Sequence, residues 1–425
     1  MNELPIIVVG AGAAGLNCAR DLLKNGRRVI ILEAQDRAGG RIKTIQGVRY
    51  NFDAGAEFIH GDLPATTKLI REFGIKIYEL AGTMERAEDG EMEKTNEFVD
   101  HWDLLMRKMK KLEKDISLKE FLDTNFPEEK YHELRSTAIG YAEGFDLADI
   151  SNVSTLSLFK EWSNEDADAQ YRIEGGYHTL IQALLDDCIK LGAEIHYNTI
   201  VKQIHWERNH VKVIESSGKV FEGSRIVITI SLGVLNAHQT QKAAISFYPQ
   251  IETSAMTKSK GYGAVTKIII EFGENFWSGL SDNLGFFFSN EAVPTWWTQA
   301  PKKDSFLTGW LGCGRSMQFH SKSEDEILSL AIQSLSKIFK KDIRDIKSYV
   351  VSAYVFDWMK DPFSLGGYSY YVVGGRNENM KGRYEFDDTI FFAGEGYYDA
   401  DDYGTVEAAL QSAIEISNSI LKISS

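Results

Sequence analysis

The chain has 425 residues, room for two or three domains at roughly 100–200 residues each. Its 43% hydrophobic and 25% charged content is that of a globular protein and excludes a disordered tail, a collagen-like chain or a coiled-coil fibre. The net charge of −14 repels nucleic-acid phosphates, so no nucleic acid is expected as a partner, and it mildly favours cationic ligands.

Apolar runs such as Ile226–Ile230 and Ile268–Ile270 fall far short of the ~20 residues of a membrane helix, so no membrane partner is expected either. The opening Met1-Asn2-Glu3-Leu4-Pro5 lacks the basic region of a signal peptide, which predicts a cytoplasmic protein. Cys18, Cys188 and Cys313 are far apart and form no C-x-x-C pair, and no histidines have H-E-x-x-H spacing, so no metal site is predicted. A P-loop and a G-x-S-x-G nucleophile turn are both missing from the sequence.

The first element is a buried strand at Ile6–Val9, followed by Gly10-Ala11-Gly12-Ala13-Ala14-Gly15 and a helix through Leu16, Ala19, Leu22 and Leu23 that stops at Gly26. A second strand at Arg28–Leu32 ends in Glu33-Ala34. This is a dinucleotide-binding β-α-β unit. Gly10 permits the tight turn, Gly12 lets backbone approach a pyrophosphate, and Gly15 lets helix and sheet pack closely. The helix start offers N–H groups to the phosphates, and Glu33 offers oxygens to ribose hydroxyls. Directly afterwards, Arg37-Ala38-Gly39-Gly40-Arg41 adds a glycine pair that NAD does not require, with two arginines suited to phosphate or a ring carbonyl.

Together with Asp53-Ala54-Gly55-Ala56-Glu57-Phe58-Ile59-His60-Gly61, these segments resemble the flavin-containing amine oxidase family of monoamine oxidases, polyamine oxidases and flavin-dependent histone demethylases. The resemblance implies an α/β fold in which a Rossmann-like FAD-binding domain (residues 1–80, 169–243 and 359–425) is interleaved with an α+β substrate domain (81–168 and 244–358). It places Gly10, Gly12, Ala13, Ala14, Gly15, Glu33, Ala34, Gly39, Gly40, Arg41, Gly55, Ala56 and Glu57 around FAD.

Next come a strand-like Ile75–Leu80, an acidic, turn-rich stretch at 84–97 centred on Asp89-Gly90, and helices over 98–145, one opened by a capping box at Ser117-Leu118-Lys119-Glu120. Gly175-Gly176 precedes an amphipathic helix with Tyr177, Leu180, Ile181, Leu184 and Leu185. Short strands follow at Glu194–Tyr197, Val201–Trp206, Val211–Glu215 and Arg225–Ile230. Val201 matches the family's adenine-contacting backbone, and Ser231–Leu235 its crossover to the substrate domain.

In Gly263–Phe272, strand alternation puts Val265, Lys267 and Ile269 on one face and Ala264, Thr266, Ile268 and Ile270 on the other. Burial would lower the lysine's pKa and let its amine hold a water. The resemblance makes Lys267 the family's lysine, bonded through water to flavin N5. It also makes Trp358 the flavin-packing tryptophan and Tyr368 one wall of an aromatic cage, and it matches His60 to the histidine of animal polyamine oxidases. Gly394-Glu395 matches the second FAD fingerprint, and Gly404-Thr405-Val406 opens a C-terminal helix aimed at the flavin. Thr405 stands where monoamine oxidases carry a second cage tyrosine. Gly367 stands where some carry a cysteine bonded to FAD, so FAD is expected without a covalent link.

The implied reaction takes a small-molecule amine to an imine and then an aldehyde, with O2 reduced to H2O2. The oligomeric state, monomer or homodimer, is open. Two other readings stand beside it. An amino-acid oxidase or porphyrinogen or carotenoid desaturase would need a cavity arginine (Arg172 or Arg315) or an apolar membrane-facing segment. A non-catalytic FAD scaffold would need neither Lys267 nor Tyr368.

Overall fold

The computed structural model describes residues 4–61, 63–88, 91–95, 99–164, 169–278, 283–376 and 384–423. Met1–Glu3 and the Asp89-Gly90 turn lie outside them.

Two large sheets organise the chain. The first has six strands in the order Glu194–His196, Val29–Leu32, Ile6–Val9, Arg225–Ile228, Ile390–Phe392 and Glu385–Phe386, all parallel except the last. Its central strand, Ile6–Val9, is buried throughout because layers cover both faces, as a parallel sheet requires. The helices Ala13–Lys24, His178–Lys190 and Val406–Ile423 pack together on one side through Leu16, Leu22, Leu180, Leu184, Leu410 and Ile420. Each such side chain contributes roughly 1.5–3 kcal/mol on burial. The other side is covered by Val201, Ile204, Val211 and Val213 of a smaller sheet.

The second large sheet has seven strands in the order Val350–Asp357, Val265–Phe272, Phe306–Gly312, Thr295–Trp297, Leu284–Ser289, Thr83–Glu88 and Glu91–Lys94. The acidic stretch after residue 83 forms two antiparallel strands on either side of Asp89-Gly90. Opposite charges face each other across it in the pairs Glu85–Lys94 and Arg86–Glu93. Such charge also suits a sheet edge, where it discourages pairing with another chain.

Helices occupy Trp102–Lys110, Leu118–Asn125 and His132–Gly144, as the sequence predicts. Ser117 Oγ accepts from Glu120 N (3.2 Å), whereas the full reciprocal capping box forms at Ser323–Glu326. Two ladders link segments distant in sequence: Gln203–His205 with Ser246–Tyr248, and Lys260–Tyr262 with Ser369–Tyr371. Among the described residues, no helix is long and apolar enough to cross a membrane. None of their His, Cys, Asp and Glu side chains form a metal-sized cluster.

Candidate active site

At the end of Ile6–Val9 the chain turns at Gly10, whose φ of +104° favours glycine. A Cβ at Gly15 would lie 2.0 Å from Gly10 O, so only glycine lets this helix lie so close to the strand. The helix Ala13–Lys24 starts at Gly12 with no side-chain cap, leaving the first-turn amides of Ala13 and Ala14 available to an anion. The second glycine pair folds back onto this loop. Gly39 N donates to Ala11 O (2.9 Å), and Gly12 and Gly39 form a bridge. Glu33 lies beneath, with Oε2 accepting from Ala11 N (2.7 Å) and Oε1 from Gln35 N (2.8 Å). Burial pushes its carboxyl above the ordinary value against these bonds. Ala34 follows it in the chain, and Val201 packs with Val9 and Leu32 at the ends of the same strands.

Arg41 carries the cradle toward the C-terminal segments. Its Nη1 donates to Gly367 O (2.6 Å) and to Glu395 Oε1 (2.7 Å). Glu395 Oε2 accepts from Ser369 Oγ (2.6 Å) and Ser369 N (3.2 Å). Burial would raise the Glu395 carboxyl, but Arg41 and Ser369 outweigh it and hold it below its usual range. Gly394 N is held by Ser412 Oγ of the last helix (2.8 Å). Nearby, Tyr397 Oη is buried without a hydrogen-bond partner, as a group awaiting a ligand or solvent would be.

Gly55 and Ala56 lie where the two parts of the site meet. Ala56 N donates to Arg41 O (3.2 Å), and a Cβ on Gly55 would lie 3.1 Å from Trp358 Cζ2. Trp358 Nε1 donates to Ala54 O (3.0 Å), which fixes the plane of the indole. Lys267 comes from the strand Val265–Phe272, buried along its whole length. Its Nζ donates to Gly55 O (3.2 Å) and Glu57 Oε2 (2.5 Å). Glu57 Oε1 accepts from Arg172 Nε (2.8 Å) and Trp297 Nε1 (3.1 Å). Burial alone would raise the Glu57 carboxyl; Lys267 and Arg172 hold it below its ordinary value. The Glu57 side chain, expected to bind cofactor, is thus committed to three protein groups.

Aromatic rings pack around Lys267, whose Nζ lies 5.4 Å from the centre of the Trp297 ring. Tyr368 and Trp310 pack against Trp358, Val265 and Leu147. Trp310 lies opposite Lys267 in the ladder, and its Nε1 donates to Gly144 O (2.7 Å). Tyr368 Oη donates to Phe145 O. Half-buried His60 packs edge-on against Phe145 (5.5 Å between centroids), and burial pushes its imidazole down to about 4. Phe58 joins His60 to Trp297, and Trp297 reaches Trp310.

Thr405, which the resemblance places at the second cage position and beside the flavin, donates from Oγ1 to Asp402 O (2.6 Å) and accepts there from Ala408 N (3.0 Å), so the hydroxyl caps the last helix ahead of Val406. Gly404 lies against the Tyr368 ring: a Cβ there would be 3.2 Å from Tyr368 Cδ2. Arg172, considered for a substrate carboxylate, spends its guanidinium on Glu57, Thr298 O (3.2 Å) and Ala300 O (3.4 Å). Arg315 is exposed and bonds Glu291 O (3.0 Å). The sequence reading missed Trp297, Trp310 and the tie between Arg172 and Glu57. Alternation in the aromatic-rich segments around 297 and 310 was the one available signal for the tryptophans.

The uncapped helix start, the two glycine turns packed on each other and the buried acid below them fit a dinucleotide, and the Arg41–Glu395 tie and the Gly55–Trp358 contact extend that fit toward a flavin ring. The chain belongs to the flavin containing amine oxidoreductase family, whose profile matches residues 13–421. It is 26% identical over 428 residues to lysine-specific histone demethylase 2 of Homo sapiens, covering 92% of this chain and 50% of that protein. It is 25% identical over 477 residues to lysine-specific histone demethylase 1 homolog 3 of Arabidopsis thaliana, covering 93% of this chain and 28% of that one. The chain therefore spans half the length of these relatives or less. With polyamine oxidase 4 of Oryza sativa subsp. japonica it shares 26% identity over 444 residues, covering 96% and 87% of the two chains. A structure of putrescine oxidase bound to putrescine superposes with a TM-score of 0.82 at 21% identity over 99% of both chains, a likeness of fold.

Proposed function

We propose that this protein is an FAD-dependent amine oxidase that holds FAD without a covalent bond and oxidises a primary, secondary or polyamine to an imine. The six-stranded sheet and its glycine loops form the cofactor domain, and the seven-stranded sheet with the helices over 102–144 forms the substrate domain. One observation carries the reading: Lys267, Gly55 and Trp358 converge where the glycine cradle meets a cluster of aromatic rings. FAD, held by the glycine turns, Glu33, Arg41 and Glu395, would supply the two-electron oxidation of the amine, with O2 as final acceptor and H2O2 as product.

The residues supply orientation, desolvation and charge. Trp358 and Tyr368, each pinned by a hydrogen bond from its polar tip, hold their rings in fixed planes on the approach of the amine. His60, neutral at physiological pH, adds an aromatic edge without competing as a cation. Lys267 brings an N–H donor to the meeting point of the two domains. The committed state of Arg172 and the exposure of Arg315 support an amine over an amino-acid substrate.

Gly367 supports non-covalent binding on more than composition. A Cβ there would lie 2.6 Å from Leu147 Cδ1 and 2.8 Å from Val265 Cγ1, so a linking cysteine would not fit the present packing. Anaerobic mixing of the purified yellow protein with monoamines, polyamines and amino acids tests the function. Bleaching of the visible absorbance by amines alone is expected, and bleaching by amino acids alone, or by none of the panel, rejects it.

A further inference from the structure

Glu57 is the centre of a buried charge cluster that amine oxidation does not by itself demand. Its carboxylate lies between Lys267 (2.5 Å) and Arg172 (2.8 Å), and the three side chains are 5%, 1% and 4% exposed. Trp297 Nε1 donates to the same oxygen as Arg172. Two cations thus share one carboxylate out of water. Each ion buried in this way costs several kcal/mol of lost hydration, so stability alone is a weak reason for the arrangement. The Lys267 side of the cluster also bonds Gly55 O, the backbone that touches Trp358.

We propose that Glu57 is a positioning residue that keeps Lys267 as an ammonium ion turned toward Gly55, so that Lys267 serves the site as a fixed positive charge and not as a proton acceptor. The inference rests on the amine oxidase reading only for what that charge acts upon; the pairing itself is tested without flavin. The other titratable groups facing the cluster are Asp53, whose carboxyl burial raises to about 7, and Tyr78, which burial raises to about 12, with Asp304 beyond Tyr78.

The test is the melting temperature of wild type, Glu57→Gln and Glu57→Gln/Lys267→Met across pH 7.5–10. With the carboxylate gone, two buried cations face a neutral amide, and Lys267 releases its proton more readily in the folded state. The deficit of E57Q relative to wild type should therefore shrink by about half or more as pH rises through this range. Adding K267M should abolish that trend, which separates it from Asp53 and Tyr78. Parallel curves for wild type and E57Q, or a trend that survives K267M, overturn the proposal, because a merely structural role gives a deficit independent of pH.

Should E57Q not fold, the double variant decides. Recovery of a folded protein on removing the second charge supports the pairing, and continued failure overturns it in favour of a structural tie to Arg172. In the flavin-loaded protein, E57Q should show a pH-dependent change of visible absorbance that wild type and the double variant lack. A protein that takes up no flavin fails the functional reading while leaving the melting test intact.

Discussion

Arg41 Nη1 lies 2.7 Å from Glu395 Oε1 and joins the second glycine turn to the short helical turn Glu395–Tyr397 across 354 residues of sequence. Glu395 is 5% exposed and Arg41 27%, so neither charge is fully hydrated and each depends on the other. Glu395→Gln should destabilise the protein by about 3 kcal/mol, the lower end for breaking a buried pair because Arg41 keeps some contact with solvent. Because its folded carboxyl is held below the unfolded value, the contribution is present above ~4.3 and is lost as pH falls through the folded value. Urea denaturation at neutral and acid pH checks both points: the deficit of the variant should be largest near neutrality and fade in acid.

Lys267→Met leaves Glu57 paired with Arg172, so the fold and flavin occupancy should persist. Amine turnover or reoxidation should slow by about tenfold or more, with the ~100–1000-fold cost of losing one preorganised electrostatic donor as the upper range. Stopped-flow traces of flavin reduction and reoxidation show which half-reaction is affected, and unchanged rates in both remove Lys267 from the chemistry.

His60→Gln reports on a group that stays neutral in the folded state down to about 4. An unfolded histidine titrates near ~6.5, so the unfolded chain binds more protons between these values and the His60 contribution is lost as pH falls from ~6.5 toward 4. Asp53, with its carboxyl raised to about 7, works in the opposite sense, taking up a proton in the folded state over the same range. The wild-type-minus-variant difference isolates His60: H60Q should show a shallower loss of stability in acid, measured by melting from pH 7 to 4.

Thr405→Val removes the bonds to Asp402 O and Ala408 N at the start of the last helix. A cost of ~1 kcal/mol is expected, with Thr405→Ser restoring most of it. KM for an amine should change little in either variant, whereas a KM rise confined to the valine would return Thr405 to the substrate site.

The sequence was most legible where one local pattern decides the structure. The run Ile6–Val9, the glycine spacing and the helix periodicity place the first β-α-β unit within a residue or two of its observed bounds. Alternation also puts Lys267 on the observed face, with Val265 and Ile269 in clusters apart from Ile268 and Ile270. What escaped depends on partners far along the chain. Glu57 meets Arg172 and Lys267 at separations of 115 and 210 residues, which no spacing rule reaches. Glu407 reads as one more helix residue, yet it accepts from Ala65 N and Thr66 N and so caps a helix 341 residues or more earlier. Glu271, inside an apolar strand, accepts from the amides of Val48, Arg49 and Tyr50 and pins the turn between the paired strands Thr44–Gln46 and Asn51–Asp53. The hairpin after residue 83 was hidden because its charges resemble those of a loop until the partner strand is known.

The order of strands in the six-stranded sheet bears on how the protein is made. Ile6–Val9 emerges first, but its neighbour Arg225–Ile228 follows more than two hundred residues later, and Ile390–Phe392 later still. At ~5–20 residues per second, a ribosome needs roughly 20–80 seconds to deliver the last of these strands. Until that strand is delivered the sheet keeps an unfinished parallel edge, the kind of surface that invites association during synthesis.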